Sequence, residues 1–329
     1  MNRFVLTLFI GITVSATFLI GPNAHSAQLR PVRVAYSTPS AAQLPVVVAL
    51  DAGYYEEFGL KVDLKSLASP QHNAGILSRS LDFSSTAMNN VLSAGLAGVD
   101  VKILFNAVPF IAMTMYVRPE INDAKKLIGK KIGQTGQGPG ISRSTSMATL
   151  RALGLDPEKD VEFAVLPSSA MSVQALIANT VQAVALANPQ DVIARKAGMH
   201  VLYDISKDKI PLPSNVVWVT GEYLSKNRDI AVAFVKAYLK ALQKMKQDKE
   251  YTMKVFGKYN KTDDKEVQES AWIYTVNHLP DNPLTTTEGI KAVLDILAAN
   301  NPKARGTDID TKKFFTNDIL IQAQKELKK

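Results

Sequence analysis

A glycine-rich loop, Gly136-Gln137-Gly138-Pro139-Gly140, stands where a strand pattern ends and a helix pattern bearing Ser142, Arg143 and Ser144 begins. Glycine lets the backbone come close to a bound group, and the first N–H groups of a helix have no partner inside it. Such an end attracts anions, so Gly138, Gly140, Ser142 and Ser144 are candidates to surround one. Arg143 offers a fixed charge and a two-pronged donor for a carboxylate or sulfonate; the alternative is a solvent-facing helix position. The third glycine comes one position too early for a dinucleotide fingerprint. No Gly-Lys-Ser/Thr follows, so the loop is not a nucleotide phosphate loop either.

Other polar residues fall at the carboxyl ends of strand patterns. Ser37, Thr38 and Gln43 follow the first strand, Thr86 and Asn89 a later one, and Asn188 precedes Pro189 at a helix start. Each can line a cleft, or can serve plain turn and cap chemistry. Trp218 sits on an extended run, where it can wall a ligand or pack inside a hinge. His72 reads as a surface residue. The chain has no cysteine and four histidines, which excludes thiol catalysis, disulfides and iron–sulfur clusters and leaves no metal site expected. No G-x-S-x-G elbow and no H-E-x-x-H occurs. No catalytic residue and no cofactor is expected.

The elements that must position these residues alternate. The chain has 329 residues, 46% hydrophobic and 21% charged, enough to bury a sizeable core. Strand patterns at 32–36, 61–67, 81–85 and 101–108 are separated by helix patterns at 44–58, 73–80 and 88–96. A second set runs through helix 124–128, strand 131–134, helix 142–153, strand 161–166, helix 172–178, strand 181–186, helix 190–197 and strand 200–205. This order implies parallel sheets with helices on their faces. The stretch around Ala74–Phe83 echoes Val173–Ala183, which suggests two similar lobes. Extended crossings near 109–118 and 214–220 would join them as a hinged clam-shell with its cleft at the carboxyl ends of the strands. From 230 onward the pattern is helical, with Ile230, Phe234, Tyr238, Leu242 and Met245 on one face. Thr285 and Glu288 have capping-box spacing ahead of Ile290.

Residues 1–27 read as a secretory leader: Arg3, an apolar run from Phe4 to Ile20, then small residues ending at Ala27. An uncleaved anchor is the alternative. The formal net charge is +8, and its loss of Arg3 on cleavage changes little. The C-terminal lysines alternate with acidic and apolar residues and read as a solvated helix face. Export argues against a nucleic-acid partner.

Three stretches resemble one family. Ala49-Leu50-Asp51-Ala52-Gly53-Tyr54-Tyr55-Glu56-Glu57-Phe58-Gly59-Leu60-Lys61-Val62 is similar to the A-x-x-x-G-y-f-e-e-x-G-L-x-V signature of the nitrate, sulfonate, taurine and thiamine-precursor group of ABC-transporter substrate-binding proteins. Leu127–Gly133 resembles that group's L-k-G-K-k-I-g, and Ala152–Val161 its a-G-L-d-p-x-k-D-V. The likeness covers roughly Val32 to Leu297. The chain departs from the group at the helix–strand turns, where a Gly and an Asp are usual. Ser80 and Asp82 stand there in the first lobe, Asn179 and Gln182 in the second.

The resemblance implies an α/β chain of the type II periplasmic-binding-protein fold, with two α/β lobes and a ligand cleft between them. It divides the chain into leader 1–27, first lobe 28–110, second lobe 111–213, and 214–329 as return crossing and C-terminal helices packing on the first lobe. It implies a monomeric, periplasmic, non-enzymatic protein that captures a small anion and delivers it to a membrane ABC permease with its ATPase. The alternatives are an enzyme resembling the thiamine-pyrimidine synthases, which the missing cysteines oppose, and a ligand-sensing accessory protein.

Overall fold

Runs of β-branched residues bounded by turn residues form the strands, and the helices between them bury one face on each sheet. The computed structural model describes residues 28–37, 39–135, 140–298, 301–304 and 309–328. The expected leader, Thr38 and Gly138 lie outside the described residues. In chain order come β1 (Arg30–Tyr36), α1 (Leu44–Asp51), α2 (Tyr54–Glu57), β2 (Leu60–Ser66), α3 (Ser69–Leu77), β3 (Phe83–Thr86), α4 (Met88–Leu96) and β4 (Val101–Val108). Then follow β5 (Thr114–Val117), β6 (Lys130–Thr135), α5 (Ile141–Ala152), β7 (Val161–Leu166), α6 (Ser169–Ile177), β8 (Ala183–Leu186), α7 (Gln190–Lys196) and β9 (His200–Tyr203). β10 (Asn215–Thr220) leads back, followed by α8 (Gly221–Lys226), α9 (Arg228–Gln247), α10 (Lys249–Asn260), α11 (Lys265–His278), α12 (Thr287–Ala298) and α13 (Asp318–Leu327).

Among the described residues the strands form two five-stranded sheets, ordered β2-β1-β3-β10-β4 and β7-β6-β8-β5-β9. β1 lies parallel to β2 and β3, and β6 parallel to β7 and β8. β10 runs antiparallel between β3 and β4, and β5 antiparallel between β8 and β9. The two extended crossings are therefore more than links. Each is stitched by ladder hydrogen bonds into the sheet of the lobe it enters.

The lobes repeat each other down to single contacts. Val34 pairs with Phe83 in one, Ile132 with Ala183 in the other. Asp82 Oδ2 accepts from the Arg33 backbone N–H at 2.8 Å, and Gln182 Oε1 from that of Lys131 at 3.1 Å. Only the first lobe adds charge: the Arg33 guanidinium grips Asp82 through Nε at 3.0 Å and Nη2 at 2.7 Å. The left-handed turn between helix and strand falls on Arg79 (φ 58°) and Asn179 (φ 61°). In the first lobe the left-handed residue is thus Arg79, one residue before Ser80. Asparagine tolerates this conformation; arginine is held in it by the surrounding turn.

Other expectations shift locally. The helix expected over 44–58 is two, broken ahead of α2 where Gly53 adopts φ 72°. Residues Ala124–Leu127 form a 3-10 turn. The cap of α12 is Thr286, whose Oγ1 accepts from the Gly289 N–H at 3.1 Å, while Thr285 is buried. The C-terminal helices cover the first sheet, with α9 against α1, α13 against α9 and β4, and α12 against α4. On α9 the expected face is fully inside: Phe234 stacks on Phe83 at 4.4 Å and on Tyr55 at 5.2 Å, and Tyr238 meets Phe105 at 4.3 Å.

His72 is buried, not on the surface. Its Nε2 lies 3.1 Å from the Leu67 carbonyl and its Nδ1 2.8 Å from Ser84 Oγ. A carbonyl only accepts, so Nε2 carries the proton and Nδ1 accepts from the serine, a neutral imidazole. Burial pushes its pKa below the ordinary histidine value. Burial, then the nearby Lys209, pushes His278 down to about 4. Both groups are depressed in the fold, so their contribution is complete above about pH 6.5 and is lost as pH falls towards the folded values. Denaturant unfolding across a pH series should show stability falling from about pH 6.5 to 4. The limiting slope is about 1.4 kcal/mol per pH unit for each histidine. A flat profile in that window overturns this account.

Candidate functional site

A cleft of about 690 Å³ opens where the carboxyl ends of strands in both lobes face each other. From the first lobe come Ser37, Ser40, Gln43, and Ala87 at the start of α4. From the second come Met113, the start of α6 at Ser168–Ala170, and the start of α7 at Asn188–Gln190. Ser214 and Asn215 supply the returning strand, and Tyr259, Asn260 and Lys261 the end of α10. The described lining contains hydroxyls, amides and one ammonium, with no carboxylate, imidazole or thiol.

The first-lobe wall is satisfied within itself. Ser85 Oγ donates to Gln43 Oε1 at 2.6 Å, and Gln43 Nε2 donates to Asn215 Oδ1 at 2.7 Å. Ser37 Oγ donates to Thr86 Oγ1 at 3.2 Å. This network joins β1, the turn at 41–43, β3 and β10, so it fixes the wall and the hinge strand together. In the second lobe Ser168 caps α6, its Oγ accepting from the Met171 N–H at 3.2 Å.

The two lobes touch through α7 and α11. Asn188 Nδ2 donates to Ser270 Oγ and, at 3.4 Å, to the Val267 carbonyl. Arg195 pairs with Glu266 at 2.8 Å, and Lys196 pairs with Asp264 and, at 3.6 Å, with Glu266. Lys196 holds the Asp264 carboxyl below its ordinary range. One turn in from Arg195, burial pushes the Asp191 carboxyl up, against the pull of backbone N–H groups and Arg195.

The candidates separate clearly. Ser37, Gln43 and Asn188 line the cleft, and Asn188 is buried to 6% exposure. Thr86 is fully buried just beneath Ser37. Asn89 lies on the first turn of α4, outside the lining. Gly140, Ser142 and Ser144 hold the start of α5 in regular bonding: the Ser144 N–H donates to the Gly140 carbonyl at 2.9 Å, and Ser142 Oγ accepts from the Thr135 N–H at 3.3 Å. A Cβ at Gly140 would meet only the Thr135 carbonyl at 3.8 Å, so no close approach demands glycine there.

Two expectations need correction. Arg143 is engaged elsewhere: its guanidinium lies 4.2 Å over the Phe163 ring and donates to Gln134 Oε1 at 3.1 Å, off the cleft lining. Trp218 is fully buried, because β10 is covered on both faces, and its indole packs in the first-lobe core rather than against a ligand. Sequence reasoning missed Met113, Ser168, Asn215, Tyr259 and Lys261. Ser168 follows a strand end and was reachable by the rule that found Ser37. Lys261 carries no such signal, because it arrives from the far end of the chain. Among the described residues no group of three or more His, Cys, Asp or Glu is placed to hold a metal ion.

A family model described as NMT1/THI5 like matches residues 40–251. YtlA of Bacillus subtilis, a protein provisionally named for binding, is 25% identical over 287 residues, which span 84% of this chain and 86% of that one. The crystal structure of the periplasmic aliphatic sulphonate binding protein SsuA from Escherichia coli superposes with a TM-score of 0.71 at 20% identity, over 85% of this chain and 96% of that one. The periplasmic nitrate-binding protein NrtA from Synechocystis superposes with a TM-score of 0.67 at 15% identity, over 91% of this chain and 89% of that one. The shared architecture is that of periplasmic binding proteins, with two mixed α/β sheets in two lobes.

Proposed function

Because the chain belongs to the NMT1/THI5-like family, we propose that it is the exported substrate-binding component of an ABC importer. It captures a small anion between its lobes and hands it to a membrane permease with its ATPase. The observation that carries this reading is the cleft itself. Strand ends and helix starts from both lobes converge on it, and its described lining offers hydrogen-bonding groups with no carboxylate, imidazole or thiol for acid–base or nucleophilic chemistry. That lining supports capture of a ligand as the role of the cleft. The relatives named for sulphonate and nitrate give the reading its ligand class. Among the described residues no helix is long and apolar enough to cross a membrane. The relatives named as periplasmic supply the proposed location, where the protein would work as a monomer.

Thermal unfolding of residues 28–329 against alkanesulfonates, taurine, nitrate, phthalate and thiamine-type pyrimidines tests it. A ligand at about 100 times its dissociation constant adds about 2.7 kcal/mol, a shift of several degrees. Stabilisation by one chemical class is the expected result. A flat panel, with native mass spectrometry showing no ligand carried from the host, overturns the reading.

A further inference from the structure

Lys261 is the only charged side chain among the described residues that line the cleft. Three observations describe its setting, the first of which it shares with Lys209, φ 50°. Its backbone is left-handed, φ 52°, at the end of α10, a conformation that glycine adopts freely and lysine does not. A strained residue at a cleft invites a functional explanation. The corner that presents it is rigid: the Thr262 N–H donates to the Gly257 carbonyl at 3.0 Å, and Gln268 Nε2 donates to the Thr262 carbonyl at 2.8 Å. A Cβ at Gly257 would meet that Gln268 nitrogen at 2.4 Å, so α10 and α11 cannot slide apart or together there without loss.

The third observation is the surroundings. Lys261 is the one residue shared between the cleft and a groove of about 960 Å³ along α10 and α11. That groove carries five lysines against two carboxylates. Lys249 and Lys258 in it are neutralised by Glu269 and Asp51, whereas no ion pair involves Lys261 among the described residues. With those two paired, Lys254, Lys261 and Lys265 stand against Glu250 and Asp263, so the groove is only slightly positive where it meets the cleft. The Arg143 charge is stacked on Phe163 away from the lining, and the first-lobe amides bond to each other, so among the described residues the single full charge lining the cleft is at Lys261.

Resting on the reading of the cleft as a capture site, we propose that Lys261 reads the charge of the ligand and that the ligand is a small monoanion. One ammonium, assisted by the partial charges at the starts of α4 and α6, balances one negative charge. Among the described lining residues no carboxylate matches a cationic group, and no second cation matches a dianion.

Titration calorimetry of the mature chain with nitrate, ethanesulfonate, benzoate, sulfate, phthalate and ethanesulfonamide tests this. Tight binding confined to the monoanions is expected, weakened at least tenfold in Lys261→Gln. Lys325→Gln removes the same charge from the surface of α13 and should leave affinity unchanged. Equal affinity in Lys261→Gln, or preference for a dianion or the neutral sulfonamide, overturns the assignment and leaves capture in the cleft standing. No binding of any of the six by the wild-type chain overturns the monoanion proposal, and the wider thermal panel then decides separately whether the cleft captures anything.

Discussion

Phe234→Ala is expected to lower the free energy of unfolding by about 3–5 kcal/mol, the range for removing a fully buried aromatic ring. The ring is at 0% exposure and lies between Phe83 and Tyr55. Nothing mobile can fill its place, because β1, α1 and α9 meet there in one contiguous core. The loss corresponds to roughly 10 °C in Tm for a chain of this size. It also reaches the site. Phe83 opens β3, and two residues on Ser85 bonds to Gln43 and Asn215 in the cleft wall. Phe234→Leu keeps most of the volume and should cost less than about 1.5 kcal/mol. Guanidinium unfolding of both variants checks the ranking, and a loss below about 1 kcal/mol for the alanine variant sinks it.

The contrast between that helix and the cleft explains what could be read from the chain. Ile230, Phe234, Tyr238, Leu242 and Met245 repeat at helical spacing, and burial of such a face follows from local periodicity. The strand ends that carry Ser37, Gln43 and Asn188 were legible for the same reason: position along a strand is a local property. Side-chain direction is not. Arg143 stands at a helix start, as expected, yet its guanidinium goes to Phe163, a residue on a neighbouring strand. Trp218 sits on a six-residue strand whose two faces are covered by elements distant in sequence. His72 looked exposed because the groups enclosing it, the Leu67 carbonyl and Ser84, are brought together only by the packing of α3 on β3. Lys261 resembled its solvated neighbours. Only the return of α10 to the first lobe puts it at the cleft.

Removing the two carboxylates at the start of α11 should open the lobes. In the double variant Asp264→Asn, Glu266→Gln, the distance between spin labels on the two lobes is expected to widen in the ligand-free chain, and affinity for any ligand of the cleft to fall about tenfold. Asparagine is chosen because Asp264 also caps α11, accepting from the Glu266 N–H at 3.0 Å and the Val267 N–H at 3.3 Å, and asparagine caps as well. What is lost is then the charge network to Arg195 and Lys196 on the second lobe. Exposed pairs contribute about 0.2–1 kcal/mol each, so three linked contacts supply about 1.4 kcal/mol, a factor of ten in an equilibrium. The buried bonds of Asn188 to Ser270 and Val267 remain and still tie the start of α7 to α11. Raising the salt concentration should reproduce the variant's effect on the wild-type chain, because exposed charges are screened and the buried amide contact is not. Unchanged label distances in both experiments would show that these pairs only decorate the junction. A ligand can shift closure only by the difference in its affinity for the open and closed forms. The pairs between α7 and α11 lower the free energy that the ligand must supply, so weakening them should reduce affinity without touching a single cleft-lining group.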